Sequence, residues 1–166
     1  MSAAVRPVTS LLLGLLWASS ASASEFSRLR IPPHEQVARV ARFISHRCDW
    51  ASMATISSHE QVAGQPFSNA FSVSDGPLGS SSGVPYMYLT RMEVSVQDLE
   101  VNGTEAEFAK KSLFSRHPEM IDWPTDHNWF FSKFNITQVW VLDYFGGVKI
   151  VTPGEYFQAS PYRKYL

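Results

Sequence analysis

The sequence predicts an α+β domain in which short antiparallel β-strands dominate and a few helices flank them. Three observations carry that expectation. First, His127 to Gly147, HNWFFSKFNITQVWVLDYFGG, gathers Trp129, Phe130, Phe131, Phe134, Trp140, Tyr144 and Phe145 into one run. β-Branched and aromatic residues at this density, closed by Gly146 and Gly147, predict two short strands forming a hairpin hinged near Asn135. Second, other short apolar runs are bounded by glycine, proline and serine clusters, the punctuation of strands. Third, helical spacing of apolar residues is confined to a few places. A chain of 166 residues, 45% hydrophobic and 17% charged, suits one globular domain and excludes a disordered or fibrous protein.

The N-terminus is set apart from that domain. Arg6 supplies a positive start, Leu11 to Ala18 an apolar core and Ala21-Ser22-Ala23 a small-residue cleavage site, so residues 1–23 are expected to be a secretory signal cut after Ala23. The apolar run is shorter than the roughly 20 residues that a membrane-spanning helix needs. The remaining 24–166 form the domain, with a net charge of about −2 once Arg6 is removed. Nothing there resembles the basic footprint of a nucleic-acid binder. Cys48 is the only cysteine. An internal disulfide is therefore impossible, and stability must come from core burial, a bridge between chains or oligomerisation.

The domain's elements follow in order. Beyond Pro32-Pro33, His34 to His46 places Val37, Val40, Ala41 and Ile44 at i, i+3, i+4, i+7, an amphipathic helix with Glu35, Arg39 and Arg42 expected on its solvent face. Trp50 to Ser57 and Pro66 to Ser74 read as strands. Asp75 to Gly83, DGPLGSSSG, reads as a loop of turn formers with little that could pack. Pro85 to Thr90 is a third strand, and Met92 to Glu100 fits either a strand or a helical turn. Thr104-Glu105-Ala106-Glu107 is a capping box ahead of a helix from about Glu105 to Arg116. After the aromatic stretch, Lys149 to Val151 is a strand stub and Pro153 to Phe157 a helical turn. HEQVA occurs at His34 and again at His59, in contexts too different for a repeat.

Most of the chemical motifs fail on context. Gly79-Ser80-Ser81-Ser82-Gly83 has the letters of a nucleophile elbow, but that motif needs a strand before the serine and a helix after it, and here Val84-Pro85 follows. His34-Glu35 and His59-Glu60 begin a zinc motif whose second histidine is replaced by Ala38 and Ala63. His117, Asp122, Asp126 and His127 could hold a metal, yet the aspartates flank Trp123-Pro124 as turn caps do. Neither catalytic, cofactor-binding nor metal-binding residues are thus expected. Two sequons, Asn102-Gly103-Thr104 and Asn135-Ile136-Thr137, gain weight because a signal would deliver them to the glycosylation machinery.

Six phrases together resemble one family: VARVARFISH at Val37, DWASMATIS at Asp49, SVSDGP at Ser72, SGVPYMYLT at Ser82, SLFSRHPEM at Ser112, and HNWFFSKFNITQVWVLDYFGGVKIVTP at His127. They are similar to CREG, the cellular repressor of adenovirus early-protein-stimulated genes, over nearly all of 24–166. The resemblance implies the split antiparallel β-barrel of the FMN-binding pyridoxamine-phosphate-oxidase proteins, with flanking helices. It also implies a secreted, endosomal or lysosomal homodimeric glycoprotein that controls growth and differentiation, is credited with transcriptional repression and is captured by the mannose-6-phosphate/insulin-like growth factor II receptor. Such a protein is no enzyme and holds no FMN. The flavin proteins grip phosphate with an arginine and a lysine, and the aligned positions here are Asn69 and Ser95, which cannot neutralise a dianion. Arg91 lies close enough in sequence to substitute, which keeps an FMN-dependent oxidoreductase as the alternative. One departure is large: relatives run on after Asp98-Leu99-Glu100 through two further strands and a loop with two cysteines, whereas here Glu100 joins Val101. A barrel shortened there is expected to be incomplete, less stable and doubtful as a dimer, or even retained and inactive.

Overall fold

The computed structural model describes residues 31–99, 106–144 and 146–162. Ala23, Asn102, the Thr104 capping box and the Glu100–Val101 junction lie outside them.

Helix α1 (Val37–Arg47) begins once the prolines are passed and ends with His46 and Arg47 in its last turn, where positive charge suits the helix dipole. Strands β1 (Trp50–Ile56) and β2 (Pro66–Ser72) pair antiparallel, from Trp50 opposite Ser72 to Ile56 opposite Pro66. Strand β3 (Tyr86–Leu89) follows, then the short helix α2 (Val94–Gln97), which settles the ambiguous segment. Helix α3 (Ala106–Phe114) precedes β4 (Phe130–Lys133), β5 (Val139–Leu142) and β6 (Val148–Val151). Helix α4 (Pro153–Gln158) closes the order on a capping box, Thr152 and Glu155 bonding each other's backbone N–H.

The strands expected in the aromatic stretch exist, but they do not form a hairpin. Among the described residues β4 pairs with β3, Tyr88 facing Phe131, and β5 pairs with β6, Trp140 facing Ile150. The reason lies in where the aromatics pack. Tyr88 stacks on Phe131 with ring centres 4.6 Å apart and on Trp129 at 5.3 Å, and Trp123 closes on Trp129 at 4.6 Å. Aromatic pairs of this kind add to the area they bury. The stack holds β4 to β3, and β5 is left to turn towards α1.

Two apolar clusters result among the described residues. Met53, Phe71, Val73, Met87, Leu89 and Val96 fill the space between the β1–β2 pair, β3 and α2. Ala41, Val141, Val151 and Tyr156 join α1 and α4 to the inner face of β5–β6. The three strand pairs share no ladder among the described residues, so the barrel is not closed. The outer face of β5–β6 is bare: Trp140, Leu142, Val148 and Ile150 are 59%, 71%, 49% and 68% exposed.

Asp98, just past α2, ties that helix to the first hairpin. Its carboxylate accepts from Ser58 N at 2.6 Å, Thr55 Oγ1 at 2.8 Å and Ser58 Oγ at 2.9 Å. The Ser58 backbone bond foremost, then the Thr55 hydroxyl, holds it below the ordinary carboxylate value of 3.8. A lowered folded-state value stabilises the fold above the ordinary value and loses that contribution as pH falls through the folded one. Asp98→Asn is therefore expected to lower the urea midpoint at neutral pH and to flatten its fall below about pH 4, so that variant and parent converge in acid. Parallel curves across the acid range would show that Asp98 is not the group responsible.

Candidate functional site

The sequon at Asn135 sits in the connection from β4 to β5. Ile136 turns inward and packs against the Ala41–Val141–Val151–Tyr156 cluster. Asn135 and Thr137, on either side of it, are exposed. The anchored middle residue thus presents both recognition side chains to solvent, as a glycan acceptor requires. Beside the sequon lies a cavity of about 610 Å³ whose walls include Ala41, Ile44, Phe134, Trp140 and Tyr156. Trp140 donates its indole N–H to Gln138 Oε1 at 3.1 Å, which fixes the ring next to the sequon loop.

The positions aligned with the phosphate-gripping residues of the flavin proteins meet at one carboxylate. Asn69 donates its Nδ2–H to Glu93 Oε1. Ser95 N and Val96 N donate to Glu93 Oε2, at 2.9 Å and 3.3 Å, as the N-cap of α2. The donors that could receive an anion here already hold the chain's own. A phosphate dianion at this place would face Glu93, a like charge, so the residues present do not fit it. Arg91, the candidate replacement, packs its guanidinium over Phe130, 5.7 Å from the ring centre. Sequence reading missed Glu93 because an acidic N-cap has no distinctive signature before its helix is placed.

A third constellation overturns two sequence expectations. Arg42 was expected in solvent and the serine loop was expected to pack little, yet Arg42 is buried and donates to Ser81 Oγ at 2.9 Å. Ser81 in turn donates to Asp75 Oδ2, and Gly83 N donates to the same oxygen at 3.1 Å. His46 Nδ1 meets Asp75 Oδ1 at 2.6 Å, and its Nε2 meets the Leu78 carbonyl at 2.9 Å. The Tyr162 hydroxyl also lies 3.3 Å from Nε2, so both ring nitrogens of the buried histidine have partners. Histidine, aspartate and serine are all present, but Ser81 bonds the aspartate rather than the histidine, which is not the serine–histidine–aspartate order of a triad. The cluster fastens α1 to the loop. Gly83 allows the closest approach: its φ is +82°, and a Cβ there would lie 2.6 Å from Arg42 Cζ.

The metal candidates do not converge. His117 is buried against the Val73 carbonyl at 3.1 Å, while Asp122 and Asp126 are exposed. Among the described residues no three potential ligands form a group. No described helix is long and apolar enough to cross a membrane.

Antiparallel strand pairs, flanking helices and an unclosed outline define a mixed α+β domain of the split-barrel type. The family model described as CREG, beta-barrel, matches residues 32–105 and 99–158. The chain belongs to the CREG family. It is 47% identical to protein CREG1 of Gallus gallus, covering 90% of this chain and 99% of the relative, and 46% identical to protein CREG1 of Homo sapiens, covering 82% and 80%. In structure it is similar to a heme binding protein from Mycobacterium smegmatis, with a TM-score of 0.58 and 12% identity, over 74% of this chain and 60% of that one. The Gallus gallus alignment runs over 192 positions while using 90% of 166 residues, so about 43 positions have no counterpart here. The family match itself breaks into two segments that overlap at residues 99–105, where Glu100 meets Val101.

Proposed function

We propose that this chain is a non-enzymatic glycoprotein of the CREG type, secreted and delivered to endosomes and lysosomes, acting in the control of cell growth and differentiation. Glycans on Asn102 and Asn135 would be its handles for the mannose-6-phosphate/insulin-like growth factor II receptor. Homodimerisation and the transcriptional repression credited to relatives belong to the same reading. The observation that carries it is the Asn135 sequon, held open on both sides of a core-anchored Ile136. Expression in a mammalian secretory line tests it: the chain is expected in the medium, to shift on glycosidase treatment, and to be retained by immobilised receptor until free mannose 6-phosphate is added. Retention in the cell, or passage through the receptor column, overturns the corresponding part.

The FMN-dependent alternative is disfavoured by Glu93, which takes the donors an anion would need. Purified protein is expected to be colourless and to leave the spectrum and fluorescence of added FMN unchanged. Saturable quenching of flavin fluorescence would restore the oxidoreductase reading.

A further inference from the structure

The groove beside Asn135 runs along the edge of β5 that pairs with no described strand, so its apolar walls include Ile44 on the α1 side and Trp140 at the margin of the outer face, and no described segment crosses it. Ile44 on α1 is 47% exposed, Phe134 is 37% exposed and Trp140 is 59% exposed, and all three line the same cavity as Asn135. A cleft of about 610 Å³ lies in the size range of sites for small ligands, about 300–1,000 Å³. Leaving such a surface to water is costly, since apolar area and aromatic faces gain by being covered. The groove's occupant must also coexist with a bulky sugar chain growing from its own wall, which obstructs a partner protein.

We infer that the glycan on Asn135 is itself the occupant: its first sugars fold back along the groove between α1 and the β4–β5 connection and cover Trp140, Phe134 and Ile44. This rests on the proposed glycosylation of Asn135. An N-acetylglucosamine ring is amphipathic. Its C–H groups pack on the negative face of an aromatic ring while its hydroxyls stay in water. Phe134 directly precedes the acceptor, and Trp140 is held beside the loop by Gln138, so the indole is placed before the sugar arrives. The glycan then acts as a folded-back cover as well as a receptor handle.

The test is a double-variant cycle on the full secreted chain in an Asn102→Gln background, leaving Asn135 as the one sequon. Asn135→Gln is expected to raise binding of an apolar-surface dye and to lower the thermal midpoint by roughly 2–4 °C. Trp140→Ser removes an exposed side chain, so the protein should still fold, and it should abolish most of the difference between glycosylated and unglycosylated forms. Peptide mass mapping reports occupancy separately. An unoccupied Asn135 overturns this inference and the glycan reading beneath it. An occupied Asn135 whose loss changes neither dye binding nor midpoint, or changes them equally with and without Trp140, overturns the inference alone.

Discussion

Asp75→Asn is expected to cost about 3–5 kcal/mol of folding stability, enough to threaten cooperative unfolding of a domain with ordinary margins. The side chain is wholly buried, as is that of His46, whose Nδ1 it meets at 2.6 Å. Its second oxygen accepts from Ser81 and from Gly83 N. Asparagine preserves the shape but removes the charge, and it turns an N–H₂ towards donors on one side or the other. The buried histidine then loses its carboxylate partner, and one donor is left unpaired. The loss spreads because Arg42 reaches the loop through Ser81, and Tyr156, from α4, donates to the Gly83 carbonyl at 2.7 Å. Ser81→Ala, which leaves the His46–Asp75 contact in place, should cost only about 1 kcal/mol. Urea unfolding of both variants decides the matter: similar small losses would mean that the His46–Asp75 contact is dispensable.

That cluster also marks where the sequence stops being legible. Strands, helices and their order could be read from local pattern: short apolar runs bounded by glycine, proline and serine for β1 and β2, a 3.6-residue stripe for α1, turn formers between them. Polar function in the core could not. Asp75-Gly76-Pro77 has every sign of a solvent turn, and only the approach of His46 from 29 residues away makes it a buried anchor. Arg42 is polar by type and buried by partners, while Ile44, apolar by type and on the expected inward stripe, stays exposed. Pairing failed for the same reason. Which strand β4 chooses depends on the ring at Tyr88, far from it in sequence. The glycan acceptor was legible because three adjacent residues define it. Glu93 was not, because its role depends on Asn69 arriving from another strand.

The bare face of β5–β6 leads to the second large effect, a comparison between two forms of the chain. Val139-Trp140-Val141-Leu142 is apolar on both faces, and β6 departs from that only at Lys149, which reaches Asp143 at 2.6 Å. Continuous apolar strands are the signature of a sheet covered on both sides. Here α1 and α4 cover one side and nothing among the described residues covers the other, and the two strands pair only with each other. Such a face, with free edges, is open to association. About 43 aligned positions of the Gallus gallus relative are missing at the same time, enough chain for several strands of the usual 5–6 residues. Inserting that relative's block between Glu100 and Val101 is expected to raise the urea midpoint and the secreted yield. The face itself can be interrogated with Ile150→Asp. In the chain as it stands, where Ile150 is 68% exposed, the substitution should cost about 1 kcal/mol or less, the scale of strand propensity alone. In the restored form it should cost about 3 kcal/mol or more, because the new strands would bury an unpaired carboxylate. Equal small costs in both forms would mean that the complete barrel leaves this face open too, and that the missing block stabilises the domain elsewhere or not at all.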